Sequence, residues 1–274
     1  MTPTSKDDMP HDAEVGQILS PTGLEVSYHR YGSGPPLVLV HGSFTDHITN
    51  WQFVAPVLAR EFTVYSVARR GRGGTTATQG HSVQEEAEDV AALLKAIGKS
   101  AFLLGHSYGA HIALMAAAEA EQGARRLVLY EPPWPHIIKK DVLARLEELA
   151  RDGDWDGFAV TFHRDILFLP AEELDALRAT DLWPLIVANA SPSLHDLRAG
   201  HSYMFDAAHF RELQTPVILQ VGTESPRDFF VTDALAAVLP RVRVEELPGQ
   251  GHEAMMSAPE QYARAVSRSL LSDT

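Results

Sequence analysis

Short apolar runs alternate with longer, helix-favouring segments along the first half of the chain. Residues 17–20 and 24–31 predict two antiparallel strands around a turn, at the leading edge of a sheet. A regular alternation of strands and helices follows, which predicts a doubly wound parallel sheet. Its predicted strands are 37–41, 62–67, 101–104 and 126–130, and its predicted helices are 51–60, 83–97 and 108–119.

The alternation stops between residues 132 and 206, where the chain becomes helical, charged and aromatic. Three of its four tryptophans lie there: Trp134, Trp155 and Trp183. No Gly- or Ser-rich linker marks either junction, so we expect one α/β core with an inserted helical cap, not two independent domains. The core resumes with predicted strands at 216–221 and 242–247 and predicted helices at 228–238 and 259–271.

The expected organisation has three parts. A flexible tail, which is polar and acidic, occupies residues 1–14. An α/β core with a mostly parallel eight-stranded sheet occupies residues 15–131 and 207–274, and a helical cap at residues 132–206 follows its sixth strand. The N-terminus has no apolar leader and no uncharged apolar stretch reaches about 18 residues, which predicts a cytoplasmic protein with no membrane partner.

Composition narrows the classes of function. The formal net charge of −13 disfavours nucleic-acid binding, which needs clustered Lys and Arg. The absence of cysteine excludes disulfides, thiolate catalysis and Cys-ligated metal sites. The 13 histidines form neither a His-Glu-x-x-His pattern nor a close set of three ligands, so we predict no metal and no cofactor. A monomer and a homodimer are both compatible with the sequence.

One pentapeptide supplies a candidate nucleophile. In Gly105-His106-Ser107-Tyr108-Gly109 the central serine lies between a predicted buried strand and a predicted helix of small residues. A sharp turn from strand to helix holds such a serine in a strained backbone conformation, and the glycines remove side chains that would clash there. We therefore expect Ser107 to project above the sheet.

A serine hydroxyl needs a base within hydrogen-bond reach to act at neutral pH. We choose His252, because the glycine-rich loop at residues 248–252 follows the last predicted strand and can carry an imidazole over the sheet. His106 lies inside the turn itself, where we expect it to pack or hydrogen-bond beneath Ser107.

Together these motifs resemble the α/β-hydrolase fold family, and in particular its cap-bearing bacterial serine hydrolases, over residues 15–271. His41-Gly42 closes a strand as in that family's oxyanion loop, and residues 248–252 resemble its histidine loop. Residues 69–74, Arg-Arg-Gly-Arg-Gly-Gly, resemble its loop after the next strand. We interpret that loop as structural, because it lacks the Lys-Thr ending of a phosphate-binding loop.

The acid that would orient His252 has more than one candidate. Glu131 directly follows the strand at 126–130, where relatives such as haloalkane dehalogenases place theirs. Asp228 and Glu224 follow the seventh strand and are the alternatives, although Ser225 stands where the family usually has aspartate. We favour Glu131, because a carboxylate at that strand end would be partly buried and would need a partner.

The resemblance also implies an oxyanion hole of two backbone N–H groups. Tyr108, directly after the serine, should supply one, and Ser43 the other, with Phe44 as the alternative. We assign Phe44, Trp134 and His106 to the substrate pocket, Trp134 because it lies three residues after the candidate acid. The other aromatic residues of the cap either line this pocket or pack the cap's own core.

The predicted activity is cofactor-independent hydrolysis of a small or medium-sized, mostly apolar or aromatic ester, thioester or lactone through an acyl-enzyme on Ser107. A serine in place of aspartate at this turn argues against a dehalogenase or an epoxide hydrolase. C–C bond hydrolysis, perhydrolysis and a biosynthetic lyase or cyclase step are alternatives on the same fold. A ligand receptor that keeps the triad but hardly turns over is an alternative of another class.

Overall fold

Eight strands form a single sheet in this computed structural model, which describes residues 13–76, 80–98, 100–120 and 123–272. The strand order is β1-β2-β4-β3-β5-β6-β7-β8. Only β2 runs antiparallel to its neighbours, so the predicted mostly parallel sheet is confirmed. The strands are β1 (Glu14–Leu19), β2 (Glu25–Tyr31), β3 (Pro36–Val40), β4 (Thr63–Val67), β5 (Phe102–His106), β6 (Arg126–Tyr130), β7 (Val217–Gly222) and β8 (Val242–Leu247).

Helices cover both faces of the sheet because its central strands are apolar on both sides. In β5 and β7 every residue is buried. Helices α2, α3 and α9 bury one face, and α1, α10 and α11 bury the other. These helices are α1 (Ala55–Leu58), α2 (Val83–Ile97), α3 (Tyr108–Glu119), α9 (Thr232–Val238), α10 (Ala254–Ser257) and α11 (Pro259–Leu271).

The chain between β6 and β7 is helical, as the sequence predicts. Within this fully described range, α4 to α8 build a separate apolar core that includes Leu146, Phe158 and Trp183. We call residues 135–202 the helical segment. No helix in the described part of the chain has the length and apolarity to cross a bilayer. The helices are α4 (Lys140–Arg151), α5 (Trp155–Asp165), α6 (Ala171–Arg178), α7 (Trp183–Ala188) and α8 (Ala190–Ser202).

The division of the chain into tail, core and cap stays a prediction. Residues 1–12 of the expected tail lie outside the described residues, and β1 already begins at Glu14.

Two predicted helices are shorter in the structure than the sequence indicates. The helix expected at 51–60 begins at Ala55, with Pro56 in its first turn, where the missing N–H of proline costs nothing. The helix expected at 228–238 begins at Thr232. Phe230 before it is extended, because it forms an isolated bridge with Pro133 in the chain that leaves β6.

The turn between β5 and α3 depends on close backbone packing around its glycines. A Cβ added to Gly105 would lie 2.6 Å from Ala110 Cα and 2.6 Å from the carbonyl oxygen of Gly109. Both neighbours are main-chain atoms that cannot rotate away. The turn therefore requires glycine at this position for steric reasons alone.

We predict that Gly105→Ala destabilises the protein by about 1–3 kcal/mol, the usual cost of overpacking a tight core. Gly80→Ala is the control, because no side chain or backbone atom of the described residues beyond its chain neighbours lies within 4 Å of the added methyl group, and it should change stability by less than about 0.5 kcal/mol. Urea unfolding followed by circular dichroism measures both. Equal midpoints for the two variants would contradict the packing argument.

Candidate active site

Ser107 lies at the turn where β5 ends and α3 begins. Its backbone has φ 54° and ψ −125°, a conformation that non-glycine residues rarely adopt and that costs on the order of 1–3 kcal/mol. Its N–H donates to the carbonyl oxygen of Tyr130 at 2.9 Å, and the residue is partly exposed. The surrounding structure thus holds the serine in the strained conformation that the pentapeptide predicts.

His252 and Glu131 form a hydrogen-bonded pair next to this turn. His252 Nδ1 lies 2.6 Å from Glu131 Oε2, and the other carboxylate oxygen accepts a 2.7 Å hydrogen bond from the N–H of Gly222. The Glu131 side chain is fully buried, whereas that of His252 is 22% exposed. Because a carboxylate can only accept, Nδ1 carries the proton, and the Nε2 atom of a neutral His252 is left as an acceptor.

The environment of His252 raises its pKa above the ordinary value of 6.5. Burial alone lowers it, but the hydrogen bond and the charge of Glu131 outweigh that effect. A folded-state pKa above the unfolded one means that the pair stabilises the fold fully below about pH 6.5. This contribution is lost as the pH rises through the folded-state pKa.

The alternative acids lie away from the imidazole. Asp228 is exposed and has no hydrogen-bond or ion-pair partner among the described residues. Glu224 is also exposed, and its side chain accepts only a 3.4 Å hydrogen bond from Thr223. Of the three carboxylates considered from the sequence, only Glu131 contacts His252.

Two aromatic rings fix the loop that carries His252. Tyr130 donates its hydroxyl hydrogen to the carbonyl oxygen of Gly251 and accepts the N–H of Ala254 at 3.4 Å, so it holds the chain on both sides of the histidine. Phe230 stacks on the imidazole, with ring centroids 5.5 Å apart and an interplanar angle of 12°. No sequence motif singles out Tyr130 or Phe230 as a support for His252. The position of Tyr130 directly before Glu131 is the one signal in the sequence for such a role.

His106 supports the same loop from below. Its Nε2 lies 3.0 Å from the carbonyl oxygen of His252, to which a neutral ring donates. Burial, and then the nearby His252, hold the pKa of His106 well below its usual range, so the ring stays neutral. The side chain is 2% exposed. So little accessible surface disfavours His106 as part of a substrate pocket and favours a supporting place beside the turn.

The oxyanion candidates differ in whether their amides are free. The N–H groups of Ser43 and Tyr108 have no hydrogen-bond partner among the described residues. The N–H of Phe44, in contrast, donates to Ser193 Oγ at 2.7 Å. Gly42, which precedes Ser43, lies directly against the nucleophile candidate, since a Cβ added to it would be 3.1 Å from Ser107 Cβ.

The two remaining pocket candidates lie in different surroundings. The Phe44 ring packs into the helical segment, stacked on Phe162 with centroids 4.1 Å apart, and is 4% exposed. Trp134 is partly buried and lines an open groove of about 630 Å³ together with His136 and Phe205. Phe44 therefore anchors its loop to the helical segment, and Trp134 borders a surface groove.

Two sets of three potential metal ligands occur in the described part of the chain. The set of His81, Glu86 and Asp196 is a poor cation site, because two buried arginines already bind both of its carboxylates. The set of His106, His252 and Glu253 includes the imidazole that Glu131 already binds. Arginines occupy the carboxylates of the first set, and hydrogen bonds already use one nitrogen of each imidazole in the second. A metal-independent site stays a prediction.

The sequence matches the alpha/beta hydrolase family over residues 37–265. The chain belongs to this family. The crystal structure of an alpha/beta hydrolase from Sphaerobacter thermophilus has a similar fold, with a TM-score of 0.79 and 29% sequence identity over 92% of this chain and 98% of that one.

Two curated relatives indicate the kind of chemistry found in similar chains. N-formylmaleamate deformylase from Pseudomonas putida is 39% identical over 123 residues, which span 43% of this chain and 46% of the deformylase. Less than half of that relative is therefore matched. Pimeloyl-[acyl-carrier protein] methyl ester esterase from Aeromonas hydrophila is 26% identical over 89% of this chain and 98% of the esterase. Both relatives are hydrolases, which supports a hydrolase function for this chain.

We predict that Glu131→Gln lowers the pKa of His252 from above 6.5 to below it, because burial remains while the carboxylate that opposes it is removed. Histidine titration by NMR measures the pKa, with His252→Gln to assign the resonance. Asp228→Asn is the matched control and should leave the value unchanged. If the pKa of His252 fell in the Asp228 variant and not in the Glu131 variant, Asp228 would be the acid and the assignment of Glu131 would be wrong.

Proposed function

We propose that the protein is a serine hydrolase that cleaves an ester, thioester or lactone through an acyl-enzyme on Ser107. The observation that carries this proposal is the pair formed by His252 and the buried Glu131 carboxylate at 2.6 Å, held through His106 against the strained turn that carries Ser107. Serine, acid and histidine follow each other in the chain in the order typical of this fold.

The hydrogen bond to Glu131 decides which imidazole nitrogen reacts. With Nδ1 donating to the carboxylate, Nε2 of His252 accepts the proton of Ser107 as Oγ attacks the carbonyl carbon. The imidazolium then gives that proton to the leaving group, whose bond to carbon breaks. Water then attacks the acyl-enzyme while His252 takes one of its protons. The bond between Ser107 Oγ and the acyl carbon breaks, the carboxylic acid leaves, and His252 returns the proton to Ser107.

Two free amides support the oxyanion hole in this proposal. Ser43 and Tyr108 present N–H groups without partners among the described residues, and Tyr108 is the first residue of α3, whose initial amides have no intrahelical acceptor. Phe44 is disfavoured because its N–H already binds Ser193. Preorganised donors of this kind stabilise charge that develops in the transition state.

The substrate class rests on the surroundings of the oxyanion loop. Phe44, next to Ser43, belongs to an aromatic cluster with Phe158 and Phe162 of the helical segment. Phe44 and Phe158 are buried, so the partly exposed Phe162 is the ring of this cluster that an apolar or aromatic acyl group would meet. The relatives that are a deformylase and a methyl ester esterase support hydrolysis at an acyl carbon.

Ser107→Ala should abolish both turnover of short p-nitrophenyl esters and labelling by a fluorophosphonate, because both need the serine oxygen as nucleophile. Ser202→Ala is the control: this serine is exposed at the end of α8, and its loss should leave both signals intact. Covalent label is counted by intact-protein mass spectrometry. Retained labelling in the Ser107 variant would refute the proposed nucleophile.

Glu131→Gln should lower kcat by about 10³–10⁴-fold, since an amide at this position no longer stabilises the imidazolium or its tautomer. In the wild type, kcat/KM should rise with pH through an apparent pKa above 6.5, because His252 must be neutral to accept the proton. Asp228→Asn should keep kcat within about twofold, as expected of a surface substitution. Steady-state kinetics across pH 5–9 test both variants. If the Asp228 variant were inactive and the Glu131 variant active, Asp228 and not Glu131 would be the acid that supports His252.

A further inference from the structure

A buried arginine lies beneath the loop that carries Ser43. Arg69 follows β4, and its side chain is 1% exposed. Its Nη1 donates to two main-chain carbonyl oxygens of that loop, those of His41 at 3.2 Å and Gly42 at 3.0 Å. The guanidinium therefore binds backbone atoms of the oxyanion loop, so these hydrogen bonds do not depend on the side chains of the loop.

Two carboxylates hold the other side of this guanidinium. Nε and Nη2 of Arg69 donate to the two oxygens of Glu86 at 3.1 and 3.2 Å, and Nη2 also donates to Asp196 at 2.5 Å. Both carboxylates are buried. The guanidinium is planar, and the carboxylates of Glu86 and Asp196 hold it in place. It cannot rotate, so the position of Nη1 is fixed as well.

The geometry of one peptide unit links Arg69 to the oxyanion hole. The carbonyl of Gly42 and the N–H of Ser43 belong to the same peptide, which is planar and trans, so the two groups point in opposite directions. The same oxygen also accepts hydrogen bonds from His41 Nδ1 at 2.8 Å and Thr45 Oγ1 at 3.3 Å. Anchoring it on Arg69 together with these two donors turns the Ser43 N–H away from the arginine. That N–H has no partner among the described residues, and the adjoining Gly42 lies against Ser107.

The same cation contacts the residue that supplies the second amide. The Arg69 guanidinium carbon lies 4.6 Å from the centre of the Tyr108 ring. One fixed side chain thus touches both residues that carry the proposed oxyanion donors.

We propose that Arg69 is a positioning residue for the oxyanion hole. Through the Gly42 carbonyl it sets the direction of the Ser43 N–H, and its positive charge polarises that peptide so that the N–H donates more strongly to the oxyanion formed at Ser107. No proton or bond at Arg69 changes in the reaction. The inference rests on the proposed serine hydrolase activity and assigns a role that the triad itself does not supply.

Arg70 provides a matched control within the same loop. Its side chain is 2% exposed and pairs with the buried Asp89 at 2.7 Å, so it is as buried as Arg69 but pairs with one buried carboxylate where Arg69 pairs with two. It makes no hydrogen bond to residues 41–45, all of which the structure describes. A lysine at either position keeps the charge but loses the fork, so both substitutions disturb folding in a similar way.

The test compares Arg69→Lys with Arg70→Lys in the full chain. The readouts are kcat and KM for a short p-nitrophenyl ester, counted per fluorophosphonate-reactive site, and Ki for a trifluoromethyl ketone, whose adduct places an oxyanion in the hole. Arg69→Lys should lower kcat and raise Ki by the same factor of at least about tenfold, with KM within about twofold, since deleting one donor outright costs about 10²–10³-fold. Arg70→Lys should leave kcat and Ki within about twofold.

A second variant covers the case in which Arg69→Lys does not fold. Glu86→Gln leaves Arg69 in place but weakens its anchor, and should produce a smaller change of kcat and Ki in parallel. Equal effects of Arg69→Lys and Arg70→Lys, or an unchanged Ki in both the Arg69 and Glu86 variants, would overturn the positioning role while the hydrolase function stands. A wild type that neither turns over nor labels would overturn both.

Discussion

The fully buried carboxylate of Glu131 is the constraint on which the candidate site depends. An uncompensated charge at that depth would be too costly, so its two oxygens must find donors within the fold. They find the N–H of Gly222 at the end of β7 and the imidazole of His252 after β8. One carboxylate at the end of β6 thereby draws three separate parts of the chain together. The pair is most favourable when His252 is charged, which is the state that the proposed mechanism requires once the imidazole has taken a proton from Ser107.

A glycine-rich loop would leave this imidazole mobile without further contacts. Tyr130 holds the backbone on both sides of His252, Phe230 stacks on the ring, and His106 binds the carbonyl oxygen beneath it. Each contact restricts a rotation that the loop would otherwise keep, so little ordering entropy remains to be lost during the reaction. The rigidity of the base comes from its neighbours and not from the loop sequence.

The sequence predicts those parts of the molecule that local patterns determine. The succession of strands and helices in the core, the bounds of α2, α3 and α11, and the strained backbone of Ser107 all follow from periodicity or from short motifs. Contacts between distant segments carry no such signal. Phe230 lies extended against His252 because the chain leaving β6 pairs with it, and neither helix propensity nor a motif reports that contact.

The sequence motif of the loop at residues 69–74 predicts only part of what the loop contacts. The motif favours a structural role for the loop. It does not indicate that Arg69 pairs with Asp196, which lies 127 residues away in α8. From the same helix, Ser193 accepts the N–H of Phe44 and so fixes the oxyanion loop a second time. The helical segment therefore holds the backbone that would stabilise the transition state in the proposed mechanism. Because Asp196 and Ser193 both lie on α8, the proposed function predicts that a change in that helix alters kcat as well as KM.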